Sequence, residues 1–368
     1  MDTKLILKNK LVGFEGLSYD DILLLPGYTD FKRRDVDLTV ELHPKIVLKL
    51  PIISSPMDTV TEYEMAATLG RAGGIGIIHR NLSISDQART VKKIKTDKLL
   101  AGAAVGAGAD LEERTKALVS ADVDLIVVDS AHGYSKPIMD ATKYIKKNYP
   151  DIVVMAGNVS TFEGAQALIK AGADILRVGM GPGSICTTRI ISGMGTPQVT
   201  AIMEAVRAAS GTRATVVADG GIQQIGDIAK ALALGARAAM LGSLLARFEE
   251  SPGKVVEVQG KKYKQYRGMG SVPAMKEGGA ERYGQSRTSD DRRLIAEGVE
   301  GLVPYHGKVS DFLYQIEGSL RTSFYYIGSR NWQEFFGNSR IIKTSQAGIR
   351  ESHPHNIIIK DPGKNYLT

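Results

Sequence analysis

The sequence predicts a (β/α)8 barrel, with a long active-site flap and a C-terminal tail added to it. Three observations carry that prediction. Eight short runs rich in Val, Ile, Ala and Leu recur at 51–57, 74–79, 100–106, 125–132, 152–159, 173–179, 215–222 and 238–244. They are apolar throughout instead of alternating, as parallel strands covered on both faces are. Most are separated by one amphipathic helical stretch, and eight β/α units in succession argue for a closed barrel over an open doubly wound sheet.

Taken in order, the runs end on polar or small residues: Ser54 and Ser55, His79, Asp129 and Ser130, Asn158, the loop that carries Cys186, Asp219, and Gly242 with Ser243. Each alone reads as an ordinary cap or turn residue. Their recurrence at nearly every strand end matches the rule that a barrel builds its active site on the C-terminal rim. The stretch 160–172 opens with Ser160 and Glu163 in capping-box spacing and closes on Gly172, so a helix capped by Ser160 is expected there. The seventh and eighth runs end in glycine-rich turns, where barrels commonly bind phosphate.

Past the eighth run the period changes. Residues 255–266 predict a hairpin with Gly260 at its turn. The segment 276–293 is too polar and glycine-containing to pack a core, and ordered chain on both sides predicts a lid. A helix resumes at about Ser310, with Leu313, Ile316, Leu320 and Ile327 at helical spacing and Gly328 as its stop. The whole, 1–368, is expected to be one catalytic barrel domain with hairpin and flap inserted over 250–305.

The one cysteine of the chain, Cys186, lies in the glycine-rich loop 179–188. A lone cysteine is commonly a small buried hydrophobe. In a loop that keeps side chains away and leaves backbone amides free, its thiol can instead reach a substrate. The single cysteine excludes an internal disulfide framework, and the lysine-interrupted N-terminus 1–10 offers no signal-peptide core, so the expected compartment is the cytoplasm. No apolar run approaches membrane-spanning length. The formal charge of +7 is dispersed and suits an anionic small molecule, and nucleic-acid binding is not indicated. The Gly-x-Gly-x-Gly from Gly179 is a weak dinucleotide fingerprint, because Pro182 interrupts it. His353 and His355 have metal-binding spacing but no third clustered ligand, and read as a structural tail.

Segments 17–26, 54–62, 129–133, 156–159, 179–188, 218–222, 266–271, 282–283, 297–301 and 351–355 resemble the inosine 5′-monophosphate (IMP) dehydrogenase family, across about Leu17 to His355. The resemblance implies oxidation of IMP by NAD⁺ to xanthosine monophosphate (XMP) through a nucleotide covalently held on Cys186. It implies catalytic roles for Cys186, Thr188, Arg282 and Tyr283. Ser55, Met57, Ser184, Asp219, Gly221, Gly242, Ser243, Tyr266, Met269, Gly270 and Glu297 would hold IMP. His79, Asp129, Ser130, Ala131, Asn158, Arg177 and Gly179 would line the NAD side. Gly181, Gly183 and Cys186 would lend carbonyls to a potassium ion, completed by Glu351, Ser352 and His353 of a neighbouring subunit in a homotetramer. Two departures stand out: the family's paired CBS domains are missing near 93–99, and Gly284 and Gln285 follow Tyr283 where bacterial members carry an aromatic. The alternative activity is that of the GMP reductases, which share the cysteine loop but have a shorter lid without Arg-Tyr.

Overall fold

The computed structural model describes residue 13, residues 15–285 and 290–361, and residues 363, 365 and 366. The N-terminal segment 1–10 and flap residues 286–289 lie outside the described residues. All eight expected strands form, and they close into one parallel barrel: β1 (Ile52–Ser54), β2 (Ile75–Ile78), β3 (Ala101–Val105), β4 (Leu125–Asp129), β5 (Val153–Val159), β6 (Ile175–Val178), β7 (Thr215–Asp219) and β8 (Ala238–Leu241). Closure is made where Ala239, Met240 and Leu241 of β8 register with Ile52, Ile53 and Ser54 of β1. Every residue of β3, β4 and β5 is buried, because side chains of both strand faces are covered, by the barrel interior and by the helices.

The helices α1 (Tyr63–Arg71), α2 (Ile84–Thr96), α3 (Leu111–Ser120), α4 (Lys136–Asn148), α5 (Phe162–Lys170), α6 (Gln198–Ala209) and α7 (Ile225–Ala233) alternate with the strands. The start of α5 corrects the sequence reading. Thr161, not Ser160, caps it, its hydroxyl accepting from the Gly164 amide, while Ser160 bonds the Thr196 hydroxyl instead. Thr161 has the extended backbone that a cap requires, so a one-residue shift satisfies the same free amides. Residues 93–99 form the end of α2 and the turn into β3.

The hairpin Val40–His43/Ile46–Leu48 packs at the N-terminal end of the barrel, with Thr215 donating its hydroxyl to the Leu42 carbonyl. That leaves the C-terminal rim as the open end. After β8 the chain makes a short helix, Ser243–Ala246, and then a three-stranded antiparallel sheet of β9 (Val255–Val258), β10 (Lys261–Arg267) and β11 (Glu300–Pro304). The expected turn at Gly260 is present, with Gln259 and Gly260 both at positive φ as a tight hairpin turn demands. The third strand, β11, was not foreseen.

Helix α8 (Val309–Ile327) runs as expected and ends at Gly328, whose φ of 78° gives the left-handed stop. Its buried Leu313, Ile316, Leu320, Phe324 and Ile327 recur at three- and four-residue spacing, and Phe324 stacks on Phe335 with ring centroids 4.0 Å apart. A small cluster of Met275, Ala280 and Leu294 against Val272 anchors the flap, and of these Ala280 alone lies within 276–293. Among the described residues no helix is long and apolar enough to cross a membrane.

Candidate active site

The rim ends of β1, β5, β6, β7 and β8 open onto one cleft of about 600 Å3. Cys186 enters it from the loop after β6. Gly179 and Gly181 take φ of 147° and 82° there, and a Cβ on Gly179 would collide with the Asp219 carbonyl. The Cys186 amide donates to the Gly183 carbonyl (3.0 Å), and the loop is clamped by the 297–299 segment through Thr187 N to Glu297 O and Val299 N to Ile185 O, both 3.0 Å. The thiol lies 3.2 Å from the Thr188 hydroxyl.

At one end of the cleft, Gly242 leaves a hollow. A Cβ there would stand 2.9 Å from the Tyr266 hydroxyl, 3.4 Å from Met57 Sδ and 3.6 Å from Ser55 Oγ. The turn after β7, with Gly220 and Gly221 at positive φ, brings further backbone to the same cleft. Burial raises the Tyr266 hydroxyl above its ordinary range, so it stays a neutral phenol.

A charged network floors the other end. Asp219 Oδ2 accepts from Arg177 Nε and Asn158 Nδ2, both at 2.8 Å, and its Oδ1 has no partner among the described residues. Asp129 Oδ1 accepts from both Arg177 and Arg282, and Arg80 Nε stands 3.9 Å from Oδ2. Burial by itself would raise the Asp129 carboxyl, but Arg282, Arg177 and Arg80 together outweigh it and hold it at about 2. Burial likewise favours neutral Arg282, yet the carboxylates, Asp129 foremost, outweigh this and keep the guanidinium more firmly protonated than a free arginine. Burial raises Tyr283, which therefore remains a phenol.

Asp129→Asn is expected to cost about 2–3 kcal/mol, because Arg282 loses the carboxylate it faces while Arg177 and Arg80 each lose one of two. The sign with pH follows from the lowered carboxyl: the stabilisation is complete above its ordinary value of 3.8 and is lost as pH falls through about 2. Urea unfolding at pH 7 and pH 2 checks both, since the two proteins should differ at the first and converge at the second.

Most of the expected residues meet here. Cys186, Thr188, Arg282 and Tyr283 line the cleft, as do Ser55, Met57, Ser184, Asp219, Gly221, Gly242, Ser243, Tyr266, Met269 and Glu297. Gly270 lies behind Tyr283, whose ring would meet a Cβ there at 2.6 Å. Ala131, Asn158, Arg177 and Gly179 also line it. Ser130 points away, donating to the Gly157 carbonyl at 2.8 Å. His79 does not reach the cleft, being buried with Nε2 3.4 Å from Glu62. Gly181, Gly183 and Cys186 share the loop, whereas Glu351, Ser352 and His353 are exposed on the tail and outside the cleft. Arg247 and Gln198 were missed. Gln198 donates to the carbonyls of Val178 (2.8 Å) and Asp219 (3.1 Å), tying β6 to β7. Arg247 follows Ser243 by four residues, a helical spacing that could have drawn attention to it.

A model of the IMP dehydrogenase / GMP reductase domain matches residues 16–355. The chain belongs to that family. Among its relatives is an inosine-5′-monophosphate dehydrogenase of Borreliella burgdorferi, 40% identical over 93% of this chain and 97% of the relative. Enzymes of the same name from Aquifex aeolicus and Bacillus subtilis are 37% and 35% identical, each over 96% of this chain and 98% of the relative. The alignments with these two run to 481 and 480 positions and that with the Borreliella protein to 393, each more than the 368 residues here. All three relatives thus hold sequence with no counterpart in this chain, the Borreliella protein the least of it.

Proposed function

We propose that the chain is an NAD-dependent IMP dehydrogenase, converting IMP, NAD⁺ and water to XMP and NADH in guanine nucleotide synthesis. The observation that carries the reading is the meeting of Cys186, Thr188, Arg282 and Tyr283 in one cleft, between the hollow at Gly242 and the free oxygen of Asp219. The hollow accommodates a phosphate, and Asp219 Oδ1 accepts from ribose hydroxyls. The other oxygen, held by Arg177 and Asn158, is not available for them.

Cys186 acts as nucleophile at C2 of the hypoxanthine ring, forming a carbon–sulfur bond. NAD⁺, when bound, supplies the acceptor for the hydride that leaves C2. Ala131, Asn158, Arg177 and Gly179 would hold it, and the buried Asn158 Oδ1 and Asp129 Oδ2, which lack hydrogen-bond partners among the described residues, fit a ligand that brings donors. Hydrolysis then breaks the carbon–sulfur bond, with water supplying the oxygen of XMP and Cys186 regaining its proton. Thr188, beside the thiol, and Arg282 activate that water.

Mixing the protein with IMP and NAD⁺, and separately with GMP and NADPH, while following nicotinamide absorbance tests the reading. NADH formation in the first and no NADPH loss in the second is expected. The reverse pattern makes the chain a GMP reductase.

A potassium ion is proposed at the carbonyls of Gly181, Gly183 and Cys186. Among the described residues no donor reaches the Gly181 and Cys186 carbonyls, and the Gly183 carbonyl has only the Cys186 amide, so oxygens suited to a weakly hydrated cation remain. The exposed Glu351, Ser352 and His353 would complete the site from a neighbouring subunit, in a cytoplasmic homotetramer. Replacing potassium by sodium should lower turnover several-fold, and deletion from Glu351 onward should abolish the difference. Equal rates in the two salts would refute the site.

A further inference from the structure

We propose that Arg247 is a specificity-determining residue of this cleft, binding the 5′-phosphate dianion of the nucleotide. The inference rests on the reading of the cleft as an IMP site, and deepens it. Four other arginines around the barrel mouth face carboxylates: Arg80 faces Asp129 and Glu281, Arg177 faces Asp129 and Asp219, Arg267 faces Asp58, and Arg282 faces Asp129. Arg247 has none among the described residues. Its Nε and Nη1 are buried without an acceptor. Its guanidinium is depressed by burial, with no carboxylate to offset it. The neighbouring ring of His306 is lowered by burial and by Arg247, so it adds no negative charge.

A half-buried guanidinium with two nitrogens shut from water and no counter-charge is costly, and such groups are ordinarily paired. Arg247 lines the cleft together with Ser243, Leu244 and Val303, so the missing partner can come from a ligand. It directly follows the short helix Ser243–Ala246, four residues after Ser243. That spacing places both on one face, and a helical side chain leans back toward the N-terminal turn, here toward Gly242 and its hollow. The phosphate is the one part of IMP that carries full negative charge, and a guanidinium matches its oxygens in geometry as well as charge.

The test uses the whole chain with Arg247→Met, which keeps the apolar stem, and Arg247→Lys, which keeps the charge. Dissociation constants for IMP and for inosine, which lacks phosphate, are measured by calorimetry, and melting temperatures with and without inorganic phosphate. Arg247→Met should weaken IMP by about tenfold to a hundredfold, as loss of a charge-assisted pair does, and leave inosine unchanged. It should also abolish stabilisation by inorganic phosphate without lowering the ligand-free melting temperature, and Arg247→Lys should recover part of the IMP affinity. Unchanged IMP affinity, or equal weakening of IMP and inosine, would overturn the role. Failure of the functional reading is separate: a wild-type protein that neither binds nor oxidises IMP refutes it, while the inorganic phosphate measurement still decides whether Arg247 binds the anion.

Discussion

Cys186→Ala is expected to form no NADH from IMP and NAD⁺, with a loss of roughly six orders of magnitude, as when a covalent enzyme loses its nucleophile. Affinity for IMP should change by no more than about threefold. The hollow at Gly242 and the free Asp219 oxygen lie at the ends of β8 and β7, while the thiol hangs from the loop after β6. The loop does not need the sulfur for its shape, because it is held by backbone bonds from Thr187 and Val299 and by the glycines. Calorimetry and absorbance together check the split, and measurable NADH from the alanine variant would remove Cys186 from the mechanism.

For Arg282→Ala the expected record is a burst of NADH close to one equivalent per site, followed by turnover slowed roughly 10²- to 10⁴-fold, with the nucleotide trapped on Cys186. The geometry behind this is competition for one place. Arg282 pairs with Asp129, and its carbonyl accepts from the Ala131 amide at 3.1 Å, so the flap is seated on residues assigned to the dinucleotide side. In the proposed mechanism hydride transfer needs that place for nicotinamide, and hydrolysis needs it for water and the flap. Glu281 adds a second anchor, 3.5 Å from Arg80. Because Asp129 keeps Arg282 protonated, the flap in this seat delivers a fixed positive charge, and proton removal by Arg282 would first require weakening that pair. Mass spectrometry of the stalled protein identifies the adduct. Loss of the burst, with no adduct, would show that Arg282 acts before hydride transfer.

Gly284 and Gln285, the two residues that depart from the expected aromatic after Tyr283, have visible tasks. Gly284 takes φ of 68° and ends the turn that carries Arg282 and Tyr283. Gln285 exchanges two hydrogen bonds of 2.9 Å with the backbone of Ile295, joining the two sides of the flap. Hydrogen bonds thus stand where an aromatic contact was expected. Sequence reasoning missed them because Gln285 and Ile295 are ten residues apart, outside any helical or strand period.

By itself the sequence determined the eight strands, the hairpin at Gly260, helix α8 with its stop at Gly328, and most of the cleft. The reason is that these follow from local rules: apolar runs mark covered parallel strands, glycine marks left-handed turns, and barrel topology turns strand ends into one rim. Cys186, Asp219 and Gly242 were legible because each ends a strand or sits in the loop beyond it. What only the tertiary structure decided is which polar groups find partners. Asp129 is drawn to about 2 by arginines from three separate segments, His79 turns away to Glu62, Ser160 yields its cap to Thr161, and Arg247 is left without a carboxylate. Burial and pairing depend on distances between residues remote along the chain, and in a low-dielectric interior those distances set both charge state and cost.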